Sequence, residues 1–332
     1  PIFLLPTALA PHDVFPSNVR AFGLLPLVFV YPARGLLKLS AWIRETRNVQ
    51  HALRIGHSLV GKPVILFILL ASVTFLHTSY SYFHVWANQD TQHIANDGDL
   101  THAAEYLNSL DLRNVSVYMS AIHYRHPTVA YLAEDYNRIR WLTGAASLAV
   151  PAEGAALYVF PQSALPPDEW LRFWGTAVQA RPSDPNGKVD YYVYHFDSNS
   201  EPPLHDFTTA HATFNHMVEI TGYRVVEDRA GETLTVDLRL GVINPPDLED
   251  YRVVADLVDQ WGMPWTQGFN DSYPSEQWET GDTIIARLTI PVPVGMPPGE
   301  YTLSVTLYSP GSGTNLPATN EAGTIMATAS IG

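Results

Sequence analysis

The stretch GKPVILFILLASVTFLHTSYSYFHVWA, residues 61–87, decides how the rest of the chain is read. Residues 64–76 are all apolar or small; ten of them are Val, Ile, Leu or Phe, and only Ser72 and Thr74 bring hydroxyls. On an insertion scale those side chains contribute about −3 to −6 kcal/mol. No Asp, Glu, Lys or Arg occurs between Lys62 and Asp90. As one helix, 64–86 would be roughly 34 Å long at ~1.5 Å per residue, enough for a ~30 Å hydrocarbon layer. The end of the stretch, HTSYSYFHVW, is aromatic and half polar, which suits a headgroup belt. The expectation is a membrane span. The alternative is a buried helix of a globular core, and such helices seldom run this far without a charge.

Chain averages conceal this segment: 46% hydrophobic residues and a mean hydropathy of −0.03 are those of an ordinary globular protein. The net charge of −14 is also unevenly distributed. Residues 1–87 hold seven Lys/Arg against Asp13 and Glu45, whereas the remainder holds twelve against thirty-one acids. A basic, apolar head therefore precedes a long acidic body. That body lacks the basic footprint that nucleic acid requires, so nucleic acid is not expected as a partner. With no cysteine, the chain has neither disulfides nor thiol chemistry. It opens at Pro1 on apolar residues without a positive leader, and the expectation is a piece of a longer protein.

Charge then suggests a topology. A second apolar run, AFGLLPLVFVYPA (21–33), is punctuated by Pro26 and Pro32 and followed by Arg34 and Lys38. Counted with its flank it predicts a span over 21–40, with a partial span over 1–10. Between the two runs lie Arg34, Lys38, Arg44, Arg47, Arg54 and Lys62, with Glu45 as the single acid. So basic a short loop stays cytoplasmic, and 41–60 suits an amphipathic helix on the inner surface. The helix from Val64 then runs outward. The chain is expected to be integral to the cytoplasmic membrane, with 88–332 on the extracytoplasmic side.

From about Asp97 the pattern changes to alternating helices and strands. DLTHAAEYLNSL (99–110) places Ala103, Ala104, Leu107 and Leu110 on one helical face. NVSVYMSA, RIRWLTG, ALYVFP and DYYVYHF read as strands, with PPDEWLRFWG as a short helix. A small α/β domain over 88–200 follows, then a Pro-rich linker at 201–213. Six further strand signals with Pro/Gly turns occupy 214–332; alternation is clearest in TLTVDLRL, where Leu234, Val236, Leu238 and Leu240 point one way. The predicted class is mixed: transmembrane helices, a small α/β domain, and an antiparallel β-sandwich of immunoglobulin-like type.

Candidate chemistry is sparse. His123 and His126 stand three apart in HYRH, and His205, His211 and His216 follow, but no third ligand at matched spacing completes a zinc set. NDGDL (96–100) lacks the acids of a calcium loop and reads as a turn and helix cap. Ser120 has no Gly-x-Ser-x-Gly frame. Glu134, Asp135 and Asp168 read as solvated acids. Trp141, Trp170, Trp174, Trp261, Trp265 and Trp278 can stack on sugars or fill the core, and core packing is the commoner role. Arg20 stands at the outer end of the earlier span, where a guanidinium holds a lipid-linked phosphate or anchors at the interface. No metal and no cofactor is expected.

These parts, in this order, resemble the C-terminal end of polytopic membrane glycosyltransferases of family 39, the group of protein O-mannosyltransferases and aminoarabinose transferases. Three stretches carry the resemblance: NVRAFGLLPLVFVYPARGL, SVYMSAIHYRHPTVAYLAEDYNRIRWLTGAASLAVP with ALYVFPQSALPPDEW, and the sandwich from ITGYRV to EYTLSVTLYSP. The resemblance implies transfer of a sugar from a polyprenyl-phosphate donor to an acceptor outside the cytoplasm. It makes Arg20 a contact to the donor phosphate and the outer domains acceptor-side or stabilising modules. The catalytic acid of the family lies in a first outer loop that no position here matches, so this chain alone is not expected to be active. The partners implied are a lipid bilayer, a lipid-linked sugar donor and a glycan or protein acceptor. The rival expectation is a membrane-anchored surface protein whose sandwich binds glycan or protein without catalysis.

Overall fold

In the computed structural model, the decisive stretch forms helix α1 (Pro63–Tyr80), continued by a π-helical turn over Ser81–Trp86. The i→i−5 bond from the Ala87 amide to the Tyr82 carbonyl, 2.9 Å, marks that change of winding. Among the described residues no helix is long and apolar enough to cross a membrane. The wholly apolar part of the stretch is short. The apolar run at 64–76 covers only about 20 Å of helix axis, and His77, Thr78, Ser79, Ser81 and His84 follow it. The expected class with transmembrane helices, and the expected placement as an integral membrane protein with 88–332 outside, are therefore corrected: the described chain is mostly β-sheet with few helices.

The structure describes residues 30, 34–35, 37–38, 41, 63–173, 188–197, 206–229, 233–246, 249–297, 299–320, 325–326 and 329–331. The predicted span at 1–10, and all but a few positions of that at 21–40 and of the loop at 41–60, lie outside them. The chain divides into two compact units, 1–87 and 88–332.

The second unit begins with two short helices, α2 (Asp90–Ala95) and α3 (Gly98–Asn108). Asp97 joins them in the left-handed region at φ 58°, a conformation that Asp tolerates. Leu100, Ala103, Ala104 and Leu107 form the buried stripe of α3, at the i, i+3, i+4, i+7 spacing of an amphipathic helix. Strand β1 (Val115–Ala121) leads through α4 (Pro127–Leu132) to the parallel strand β2 (Ile139–Thr143). Pro127 opens α4, where its missing N–H costs nothing. The chain then departs into β3 (Ser147–Val150) and returns as β4 (Ala155–Pro161), parallel to β1 on its other side. After α5 (Asp168–Phe173), β5 (Tyr191–Asp197) closes the sheet antiparallel to β4, giving the order β2-β1-β4-β5.

The remaining strands are antiparallel. They run β6 (Thr208–Phe214), β7 (Val218–Arg229), β8 (Thr233–Val242), β9 (Arg252–Val258), β10 (Pro264–Asn270) and β11 (Thr283–Pro291). After them come β12 (Thr302–Ser309), β13 (Thr314–Asn315), β14 (Ala318–Asn320), β15 (Ile325–Met326) and β16 (Ala329–Ile331). One sheet has the order β15-β14-β6-β7-β8-β11-β3, the other β10-β9-β12-β13 with β16 also on β12. Val236, Leu238 and Leu240 of β8 share a buried core with Val253 and Ala255 of β9 and Val305 and Leu307 of β12.

The α/β sheet is joined to these sheets rather than tethered beside them. β3 pairs with β11, from Thr283–Val150 to Ala286–Ser147. The edge of β2 is occupied by Gln277, whose Oε1 accepts from the Trp141 amide at 2.6 Å and whose Nε2 donates to the Trp141 carbonyl at 3.1 Å. A side-chain amide thus stands in for a missing strand and blunts the edge. On the far face of β8, the fully buried Asp237 accepts from Arg287 at 2.7 and 2.8 Å, from Arg224 at 2.6 Å and from the Trp170 indole at 3.3 Å. Helix α5 thereby covers the sheet face that alternation alone would leave to solvent.

Candidate functional site

One candidate binding surface lies on β10 and the hairpin that precedes it. Thr266, Gly268 and Asn270 point inward: Thr266 Oγ1 donates to the Pro291 carbonyl at 2.7 Å, and Asn270 Nδ2 donates to the Arg287 carbonyl at 2.8 Å. Alternation therefore sends Gln267 and Phe269 to the outer face, while Trp265 lies at a bulge, where the register with β9 shifts between Pro264 and Thr266. Trp265 is 40% and Phe269 59% exposed, and Trp261 at the hairpin tip is 78% exposed. Between them Gln267 Nε2 donates to Asp256 Oδ1 at 2.8 Å. Val254, Asp256, Gln267, Thr306, Tyr308 and Asn315 line a shallow groove of about 180 Å3 on this face.

The hairpin tip is held in place. Asp259 Oδ1 accepts from the amides of Trp261 and Met263, both at 2.9 Å, and its Oδ2 accepts from the Trp265 indole at 3.0 Å. Gly262 between them takes φ 82°, which a side chain would strain. The Trp265 N–H, followed by the Met263 amide, holds the Asp259 carboxyl below the usual carboxylate range, so it is ionised at neutral pH. One carboxylate thus ties the Trp265 indole to the backbone of the hairpin tip at Trp261 and Met263. Exposed aromatic side chains grouped beside an acid and an amide make this face a candidate ligand surface.

A second cluster sits at the carboxyl edge of the parallel strands. The order of the sheet reverses between β1 and β4, and open α/β sheets hold ligands outside the strand ends at such a point. Asp190, just before β5, is tied to the end of β4 by the Gln162 amide, which donates to its carbonyl at 2.7 Å. The first turn of α3 reaches the same edge, where Asp99 Oδ2 accepts from the Ser163 amide at 2.7 Å. His93 Nε2 of α2 lies 3.0 Å from Asp190 Oδ1, and His102 Nδ1 of α3 is hydrogen-bonded to Asp190 Oδ2. The three ligand-type atoms lie within 4.8 Å of one another.

The residues singled out in the sequence separate clearly. Arg20, Trp174 and His205 lie outside the described residues. Trp141, Trp170 and Trp278 are core residues, whereas Trp261 and Trp265 are exposed. His123 and His126 stack with ring centroids 6.1 Å apart, but His126 caps α4 instead of gathering ligands. His211 and His216 are exposed. NDGDL forms the turn into α3, and the Ser120 hydroxyl donates to the Ala164 carbonyl at 2.5 Å. Sequence reasoning missed the cluster at His93, His102 and Asp190. Its histidines are nine positions apart on separate helices, and the carboxylate lies 88 positions beyond the second of them. No local spacing announces it.

No family model matches the chain, and no curated protein matches it. Among solved structures, a beta-glucuronidase from glycoside hydrolase family 2 is similar over 42% of this chain and 14% of that one, at 8% identity and a TM-score of 0.21. A likeness so slight carries no argument about fold or activity.

Proposed function

We propose that the 88–332 unit binds carbohydrate, receiving a saccharide on the outer face of β10 and β9 and at the hairpin tip. The observation that carries this reading is exposed Phe269 beside the Asp256–Gln267 hydrogen bond on one sheet face, with exposed Trp265 at the adjoining bulge. Indole and phenyl faces take the C–H faces of a sugar ring, while a carboxylate and an amide at fixed positions orient its hydroxyls. A purely apolar protein partner would leave Asp256 and Gln267 facing apolar surface, at a desolvation cost. The family resemblance implies a glycan or protein acceptor, and the proposal takes the glycan without the membrane topology.

The test is calorimetric titration of the chain with a panel of neutral and acidic oligosaccharides, supported by a glycan array. Trp265→Ala is expected to weaken the best ligand at least about tenfold, the loss of roughly 1.4 kcal/mol, and Phe269→Ala to weaken it with an unchanged melting temperature. Absence of binding across the panel, or binding indifferent to both Trp265→Ala and Phe269→Ala, would remove the reading.

A further inference from the structure

We infer that His93, His102 and Asp190 form a binding site for one divalent transition-metal ion, of the zinc type. Three donors of the right chemistry converge from separate elements: Nε2 of His93, Nδ1 of His102 and a carboxylate oxygen of Asp190, all within 4.8 Å of one another. Two imidazoles and one carboxylate suit zinc and its first-row neighbours, whereas calcium and magnesium prefer all-oxygen sets. The Asp190 side chain is only 2% exposed and both of its oxygens face imidazole nitrogens, so its polar atoms are turned inward onto the cluster rather than to water.

The surroundings are shaped for the site. Gly98 opens α3, and a Cβ there would overlap the ring atoms of His93. The glycine therefore leaves the space in which the His93 ring reaches Asp190. The His102 side chain is 35% exposed, which leaves one side open to water. Among the described residues no fourth His, Asp or Glu completes the set. Three protein ligands with an open position are the pattern of a zinc site that holds water or an oxygen donor in its fourth place. The site stands at the carboxyl edge of β4, apart from the aromatic face of β10, and does not depend on sugar binding.

The experiment is titration of the metal-stripped full chain with Zn2+, and separately with Co2+, following heat and the visible d–d absorption of cobalt. One ion per chain is expected, with an intense, low-symmetry cobalt spectrum and a higher melting temperature on loading. His102→Ala alters a partly exposed side chain and should fold; it is expected to weaken zinc at least about 100-fold, beyond the range that loss of a supporting partner gives. Gly98→Ala acts only through the position of His93 and is expected to cost about 10–100-fold, as altered support of a ligand does. His211→Ala, on an exposed histidine remote in sequence, should leave binding unchanged. Zinc affinity retained in both His102→Ala and Gly98→Ala would overturn the site. So would the absence of stoichiometric binding of either ion, in which case the triad is a hydrogen-bonded His–Asp–His cluster and nothing more.

Discussion

Asp282 is nearly fully buried beside Arg140; its carboxylate accepts from the Glu279 amide at 3.0 Å and lies 3.5 Å from the Arg140 guanidinium. Burial outweighs those two favourable contacts and pushes its pKa up to about 6. An unfolded Asp titrates near ~4, so between those values the folded chain holds the proton more tightly than the unfolded one. Stability from this group is therefore greatest below about pH 4, declines as pH rises to about 6, and is level above it. The whole change amounts to roughly 3 kcal/mol. Asp282→Asn removes the titration. Urea denaturation of both proteins across the range from acid to neutral pH should show the wild-type advantage over the variant shrinking by that amount as pH rises. A difference that stays constant across the series would refute the assignment.

At the scale of the element, β10 depends on Gly268. A Cβ at that position would lie 2.7 Å from Cγ1 of Ile290 and 3.0 Å from the Thr289 carbonyl oxygen, so β10 presses directly on β11 there. Gly268→Ala must displace backbone as well as a side chain, and is expected to cost about 1–3 kcal/mol, measured as a lower denaturation midpoint with an unchanged slope. A midpoint unchanged from wild type would show that the strands yield freely. β8 was legible in the sequence because it buries one face in a continuous core, which writes period-two alternation into TLTVDLRL. α3 was legible by the same logic at helical period. β3 was not: its four residues, SLAV, are all buried and show no alternation, and their partner β11 lies more than 130 residues away. The tryptophans obey the same limit. Trp170 packs under Arg287 in the core while Trp265 faces outward, a difference that only the tertiary packing decides. In the apolar stretch at 64–76 the hydrophobicity was readable, whereas the change to π-winding at 81–86 was not.

For the molecule as a whole, the linker expected at 201–213 suggests two independently folding parts, and the packing of the 88–332 unit argues against independence. Tyr118 and Tyr158 of the α/β sheet stack with ring centroids 4.9 Å apart. Both belong to one buried core with Val236 of β8, Val253 and Ala255 of β9, Ile285 of β11 and Val305 of β12. Arg140 of β2 lies over the Tyr118 ring and pairs with Asp282 and Glu279 from the segment before β11. The Thr143 amide donates to the Ser272 carbonyl at 2.6 Å, and β3 is a full member of the seven-stranded sheet. Separating the α/β part from the antiparallel sheets would thus strip one strand from a sheet and expose a shared apolar core, and neither part could recover that loss alone. Residues 88–332, produced without the first unit, are expected to unfold in a single cooperative transition, with far-ultraviolet circular dichroism and tryptophan fluorescence giving coincident midpoints. Two separated transitions, or a stably folded 206–332 fragment with native-like fluorescence, would show that the β3–β11 pairing and the shared core contribute little. Coincident midpoints would instead mean that the His93, His102 and Asp190 cluster and the aromatic face of β10 report on one folding unit, so that a ligand at either place would raise its single melting temperature.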